Sequence, residues 1–468
     1  MRDLDLPVRG RGLLLAFIVS LGLMARLLCF QAPLLDHHAW RQADTAMIAR
    51  NFVRAGLHPL APQTDARGAS PSGVVATGLE LHAIVTAAAA RVTGFSNPLA
   101  RVVSALTFPF SALFLWSFLR RRDGDLAAFC GVWVYALGLP LVVFAEHAVW
   151  NEPFLIMLTF ASLWCWQRRE GRPVMSALAI VSVAVLAGVK PQWLIVLAPM
   201  IALSIEREGW AALRQPSVWL LAVAGAGSAA AWLWHMDAVG RATGLTFGAA
   251  DKLFNPDDMS MRYAFIVGRR LVRDLLGPIG FAAFAIGLVT AAHQRRRLEL
   301  AWTAAFLAYL IVVSRGNRVH DYYQLPLAPL AAIVIPAGIL RSVAAIRTRV
   351  DARAALGVVL WLMLFTTFVR SVSFHSWYEV DARKASFCRA LGTAIAADER
   401  VTFVAYNSPD VLYCLDRKGW LLVDDFGSMS AVLAAAPGTT VIAMPDTARL
   451  ADARPAVARV EGWVAVRP

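Results

Sequence analysis

The chain has 468 residues, 58% of them hydrophobic and only 16% charged, with a formal net charge of +13. Soluble domains carry about a quarter charged residues, so this composition excludes a soluble enzyme and points to a polytopic membrane protein. Lysine occurs only at 190, 252, 384 and 418; the arginine excess reads as positive-inside loop topology, not as nucleic-acid binding.

In chain order, apolar segments of roughly 15–20 residues, the length of membrane spans, fall at 12–30, 100–119, 126–145, 152–167, 174–189, 192–205, 217–236, 277–293, 299–314, 322–341 and 354–374, eleven in all. The first has no small-residue cleavage site after it and is expected to be a retained span, not a signal peptide. Arg120 to Arg122, Arg168 with Arg169, Arg207 with Arg214, Arg295 to Arg297, and the arginines from Arg341 to Arg353 all follow even-numbered segments. With the N-terminus inside, every cluster falls in the cytoplasm. Residues 79–93, "LELHAIVTAAAARVT", would invert that parity as a twelfth span and are expected to form an amphipathic surface helix. "MRYAFIVGRRLVRDLL" reads as a second interfacial helix.

The expected organisation is a transmembrane domain over 1–375, with long external loops at 31–99 and 237–276, and a periplasmic α/β domain over 376–468. In that last region "RVTFVAYN", "VLYCL", "GWLLV", "TTVIAMP" and "GWVAV" have strand character, and "DARKASFCRALGTAIAAD" and "SMSAVLAAA" have helical character. Cys388 and Cys414 share this region, which leaves a disulfide open; the five cysteines include no zinc-type pair.

This topology sorts the reactive side chains. The outer face receives Asp36, His37, His38, Arg41 and Asp44, then Glu80 and His82, then Glu146 to Glu152, then Lys190, and then "SRGNRVHDYYQLPLAP" at 314–329. The cytoplasmic loops receive arginine and little else. Transporters place ionisable groups near mid-membrane, whereas a site on one face suits an enzyme acting on a lipid headgroup. Asp36 is the candidate general base, with Asp44 and Glu152 as further acids. Bland readings exist for several of these: Trp40 as an interfacial anchor, Arg41 with Asp44 as an i,i+3 ion pair, Glu152 before Pro153 as a helix-terminal acid, and Lys190 as a snorkelling side chain. Lys190 also suits a phosphate as a point charge. Arg315 and Arg318, with His320, Tyr322 and Tyr323, form another candidate anion site. His37 and His38 are a weak metal signal.

Asp36, His38, "WRQADTA" at 40–46 and "ARNF" at 49–52 resemble the first-loop signature of GT-C membrane glycosyltransferases. The branch is that of protein O-mannosyltransferases, the lipid A aminoarabinose transferase and the lipopolysaccharide galacturonosyltransferases. "NEPFLIML", "GVKPQWLIVLAP", "HDYYQLPLAPLAA" and "RKGW" extend the likeness. Many relatives carry an Asp-Glu pair where Arg41 and Gln42 fall, so which acid is the base stays open between Asp36 and Asp44, with Asp36 favoured.

The resemblance implies an α-helical GT-C fold in the bacterial inner membrane, with the active site facing the periplasm. It implies inverting transfer of a monosaccharide from a polyprenyl-phosphate sugar to a lipid, glycan or protein hydroxyl of the cell envelope. It implies that Asp36 acts as base, with Asp44 and Glu152 auxiliary, and that His38, Arg41, Glu80, Lys190, Arg315, Arg318, His320 and Tyr322 hold the donor phosphate or substrate. Some family members use a divalent cation and others do not. A transporter or flippase of polyprenyl-linked lipid is the rival reading, and a non-catalytic assembly subunit is a third.

Overall fold

The computed structural model describes residues 8–246, 252–346, 350–373, 375–451, 454–460 and 462–468. The helices of the N-terminal half are α1 (Val8–Arg26), α2 (Ala39–Ala55), α3 (Leu81–Thr93), α4 (Asn97–Ala105), α5 (Thr107–Asp123), α6 (Asp125–Trp133), α7 (Pro140–Ala145), α8 (Glu152–Gln167), α9 (Pro173–Val189), α10 (Leu197–Glu208) and α11 (Pro216–Thr243). They continue as α12 (Met261–Arg270), α13 (Gly277–His293), α14 (Arg297–Val312), α15 (Ser314–Val319), α16 (Ala328–Ile346), α17 (Ala352–Ser373), α18 (His375–Tyr378) and α19 (Ala382–Ala394). Strands β1 (Val401–Val404), β2 (Gly419–Leu422), β3 (Val441–Pro445), β4 (Ala456–Val460) and β5 (Trp463–Val466) follow, with α20 (Asp410–Leu415) and α21 (Met429–Ala435) among them.

Each of the eleven apolar segments is helical over most of its described residues, with interruptions such as Leu106 and Leu139, and helix also covers most of the expected interfacial segments 79–93 and 261–276. Among the described residues, Asn97–Asp123, Pro216–Thr243, Asp321–Ile346 and Ala352–Val369 are long and apolar enough to cross a membrane singly. The bent pair Met261–Leu275 and Gly277–His293 makes a fifth if it is one span. The other apolar helices are shorter or broken, and eleven crossings remain an expectation. The breaks have chemical causes. Pro191 excludes Lys190 from the α region, and Lys190 is extended (φ −150°, ψ 105°) where α9 ends.

The chain divides into two compact units. The helical unit comprises residues 1–28, 104–233 and 248–374. Its α13 and α16 lie backbone to backbone: a Cβ on Gly338 would collide with the Ala283 carbonyl, and one on Gly287 with that of Val334.

The α/β unit comprises residues 29–103, 234–247 and 375–468. Its five-stranded sheet has the order β2-β1-β3-β5-β4. β1 pairs in parallel with β2 and β3, and β5 runs antiparallel to β3 and β4. Alternation along the strands divides the core in two. Val401, Phe403, Val441 and Ala443 pack against Phe387 and Leu391 of α19 and Val411 and Leu412 of α20. Ile442, Met444, Val464 and Val466 pack with Val432 of α21.

The edge of β2 is covered by residues 65–67. The Gly419 amide donates to Asp65 O at 3.0 Å, and the Arg67 amide donates to Gly419 O at 2.7 Å. The glycine of "RKGW" answers to the other neighbour, β1, because a Cβ at 419 would collide with the Val401 carbonyl.

One expected strand is a helix: "VLYCL" lies in α20. Asp410 stands in its first turn, where the helix dipole favours an acid, and Val411, Leu412 and Leu415 are buried at helical spacing. β4, "AVARV", is an edge strand that the sequence reading did not single out. Cys388 of α19 and Cys414 of α20 form a disulfide, with Cα atoms 6.0 Å apart.

Candidate functional site

The first-loop signature forms α2, buried from Arg41 to Phe52 despite its polar residues. His38 precedes it in the left-handed region (φ 56°), a conformation uncommon outside glycine, and this reverses the chain just after Asp36. Both Asp36 oxygens are held by donors. Gln42 Nε2 donates to Oδ1 at 2.6 Å, and Arg101 Nη2 donates to Oδ2 at 2.7 Å. Arg101 Nη1 also donates to Gln42 Oε1 at 3.3 Å. Both members of this ion pair are buried, so the guanidinium compensates the carboxylate charge and fixes its direction.

One turn along, Arg41 pairs not with Asp44 but with Glu80, at 3.3 Å, and the Thr77 hydroxyl donates to the same Glu80 oxygen at 2.8 Å. The i,i+3 ion pair expected as the bland reading does not form. Asp44 is 3% exposed. Burial pushes its carboxyl well above the ordinary value; Arg41 works against this, and the Glu80 and Asp410 charges add to it. His82 bonds through its ring to the Ala100 carbonyl at 3.1 Å. Burial lowers its pKa to about 3, which leaves it neutral and outside acid–base work at physiological pH.

The far end of α2 is tied to the C-terminal domain. Arg50 bonds to Asp65 and lies over the Tyr413 ring at 4.6 Å. Asn51 Nδ2 donates to Asp65 Oδ1 at 3.1 Å, and Arg54 pairs with Asp416 at 2.6 Å.

Residues 35–40 line a cleft of about 390 Å³ together with Lys384 from α19, Asp410 from α20 and Tyr406 after β1; the Asp36 side chain itself is 1% exposed. Lys384 Nζ lies 2.8 Å from Asp410 Oδ2, and the Tyr406 hydroxyl donates to Asp410 Oδ1 at 3.2 Å. Burial disfavours the Lys384 ammonium, but Asp410 and Tyr406 outweigh it and hold the pKa above its usual value. The His37 ring stacks on Trp377 at 5.0 Å.

The helical unit carries a second cluster. Lys190, extended between α9 and a 3-10 turn, is ion-paired with Glu152. Its ammonium stands over the rings of Tyr322 and Tyr323 at 5.0 and 5.7 Å. His320 stacks on Tyr322 at 5.1 Å, and Trp150 packs 5.2 Å from the same ring. Glu152 Oε2 is buried without a hydrogen-bond partner among the described residues. Arg318 pairs with Asp258, whereas Arg315 is exposed on α15. In the same unit, the buried Arg26 guanidinium bonds to Glu146 Oε2 at 2.6 Å, and Tyr135 bonds to the other carboxylate oxygen.

The expected site residues thus fall into two groups. Asp36, His38, Arg41, Asp44 and Glu80 belong to the α/β unit; Glu152, Lys190, Arg315, Arg318, His320 and Tyr322 belong to the helical unit. Sequence reasoning missed Arg101, whose single charge lies inside an apolar segment. It also missed the Lys384–Asp410 pair, although the rarity of lysine was a usable signal.

No protein-family model matches the chain, and no curated protein sequence does. Solved structures do match. ArnT from Cupriavidus metallidurans bound to undecaprenyl phosphate has a TM-score of 0.71 at 14% identity, over 96% of this chain and 97% of that one. The same protein in the apo state has a TM-score of 0.70 at 13% identity, with the same coverage. The archaeal oligosaccharyltransferase AglB from Archaeoglobus fulgidus, in complex with an inhibitory peptide and a dolichol-phosphate, has a TM-score of 0.59 at 8% identity, over 93% of this chain and 69% of that one. At these identities the likeness shows the fold alone: the chain is built on the fold seen in these ArnT and AglB structures.

Proposed function

We propose that the chain is an inverting glycosyltransferase of the bacterial inner membrane that moves a monosaccharide from a polyprenyl-phosphate sugar to a lipid, glycan or protein hydroxyl at the periplasmic face. The observation that carries this reading is a fold shared end to end with a protein solved with undecaprenyl phosphate bound. The segregation of acids to one side of the arginine-rich loops supports the orientation.

In this mechanism Asp36, aimed by Arg101 and Gln42, removes the proton from the acceptor hydroxyl. The oxygen attacks the anomeric carbon, the carbon–oxygen bond to phosphate breaks with inversion, and the polyprenyl phosphate leaves with the bonding electron pair. Phosphate is a good leaving group, so no general acid is needed. Lys190, Arg315 and Arg318 stabilise its charge, helped by Tyr322 and His320. Asp44 and Glu152 orient substrate hydroxyls, and His38, Arg41 and Glu80 fix the loop that carries the base.

The test is mass spectrometry of envelope glycans and lipids from the native host with and without the gene. Loss of one sugar mass from a defined species, with its polyprenyl-phosphate sugar accumulating, supports transfer. An unchanged profile, with labelled lipid moving between leaflets in proteoliposomes, supports the transporter instead.

A further inference from the structure

Where the arginine-rich loops meet the apolar helices, the helical unit gathers four arginines without giving them carboxylates. The ends of α5, α8 and α10 are tied together there. Arg168 Nη2, just after α8, donates to Ser117 Oγ of α5 at 2.9 Å, and Arg207 Nη1 of α10 donates to the Gln167 carbonyl at 2.5 Å. Arg121 follows Ser117 by one turn of α5, and Arg172 ends the short connection from Arg168 to α9. The arginines beside them are paired: Arg122 with Glu206 and Glu299, and Arg169 with Glu208. Among the described residues, Arg121, Arg168, Arg172 and Arg207 form no such ion pair.

These four charges feel one another. Burial, and then the charges of Arg121, Arg172 and Arg207, pull the Arg168 pKa below its usual value. Burial lowers that of Arg207 as well; Glu170 opposes the shift, and Arg169, Arg121 and Arg122 add to it. Like charges brought together cost free energy, and an anion seated among them removes that cost. We propose that this cluster binds the phosphate of an anionic phospholipid, with its acyl chains lying along the apolar faces of α5 and α9.

The surroundings have the depth profile of such a lipid. The partly exposed Trp164 of α8 lies under the Arg168 guanidinium at 4.7 Å, and its indole N–H donates to Ser117 Oγ at 3.0 Å. A tryptophan with its polar edge turned this way belongs where headgroups give way to acyl chains. Leu113 and Phe110 are exposed on the face of α5 that carries Ser117 and Arg121. At 1.5 Å per residue they lie roughly 12 and 16 Å deeper than Arg121. On α9, Val174, Leu178 and Val181 form a second exposed stripe, and α8 packs against both helices. Guanidinium groups match phosphate oxygens, and basic sites between helices hold anionic headgroups. The same surplus of positive charge repels the ammonium of a zwitterionic headgroup, so the site takes phosphatidylglycerol in preference to phosphatidylethanolamine.

The test is native mass spectrometry of the full chain in detergent, with phosphatidylglycerol or phosphatidylethanolamine added in increasing amounts. Arg121→Gln with Arg172→Gln removes two exposed charges of the cluster; Arg214→Gln with Arg295→Gln removes two exposed charges from neighbouring loops. Wild type is expected to hold phosphatidylglycerol at least tenfold more tightly than phosphatidylethanolamine. The first double variant loses that preference, and the second keeps it within twofold. Equal retention of both lipids by wild type overturns the proposal, as does an acidic protein retained in place of lipid. Equal losses in the two double variants overturn it too, because they mark a diffuse surface charge and not a site. A first double variant that binds as wild type does, with an unchanged melting temperature, has the same force. None of these outcomes bears on sugar transfer, which the envelope glycans report separately.

Discussion

Arg101 and Asp36, 65 residues apart in sequence, form a buried ion pair with Nη2 2.7 Å from Oδ2. The arginine compensates the charge of the candidate base and aims it, so the two substitutions have different signatures. Asp36→Asn removes the base, and transfer by the folded variant falls by about 10²–10⁴-fold; it also leaves the buried Arg101 charge unpaired and turns an amide NH2 towards a donor, so the melting temperature falls as well. Arg101→Met strands a buried charge and costs about 3–5 kcal/mol, read as a lowered melting temperature. Full activity in Asp36→Asn would remove it as the base.

Asp44 gives a stability prediction with a definite sign. Its folded-state pKa lies well above 3.8, so in the window between 3.8 and that raised value the folded protein binds the extra proton. Stability contributed by Asp44 is therefore present below the unfolded value and is lost as pH rises through the folded one. An asparagine side chain needs no proton, so Asp44→Asn raises the melting temperature at pH 8 relative to wild type but not at pH 4. Its transfer activity falls less than that of Asp36→Asn; the reverse ranking in a kinetic assay makes Asp44 the base.

Lys190 is ion-paired with Glu152, and on the proposed reading a lipid phosphate competes with that carboxylate. Lys190→Met is expected to weaken undecaprenyl phosphate binding by about 10–100-fold, from the ~1.5–3 kcal/mol of a hydrogen bond to a charged group. Glu152→Gln removes the competitor, and binding tightens. Weaker binding by Glu152→Gln, measured by titration in nanodiscs, assigns Glu152 to orienting Lys190.

The Cys388–Cys414 disulfide closes a loop across a sequence separation of 26. The chain-entropy relation gives it about 3.5 kcal/mol of stabilisation. Cys388→Ser with Cys414→Ser is expected to lower the melting temperature and abolish the mobility difference between reduced and non-reduced protein on a gel. An identical melt for the double variant places the bond outside the cooperative unit.

Much of this architecture was legible in the sequence, for identifiable reasons. Long apolar segments between arginine clusters are read by composition alone, and each is helical over most of its described residues. β1, β3 and β5 were recognisable because strand alternation builds both faces of their sheet. "VLYCL" was not, since five apolar residues suit a strand and a buried helical turn equally; the tertiary packing of Val411, Leu412 and Leu415 decided it. The candidate residues were legible by type and by their place beside apolar segments. Its pairings were not, because Asp36 with Arg101 and Lys384 with Asp410 are contacts that no local period encodes.

The pairing of Asp65 and Arg67 with Gly419 has a consequence for biosynthesis. Residues 65–67 leave the ribosome more than 300 residues before the strand that completes their pairing, and Arg50 and Arg54 meet Tyr413 and Asp416 equally late. Contacts this distant form slowly and leave surfaces unsatisfied meanwhile. The early loop must therefore wait, half built, for the last fifth of the chain to be made. A truncation at residue 375 is expected to leave inserted helices beside an external loop that proteases cut readily.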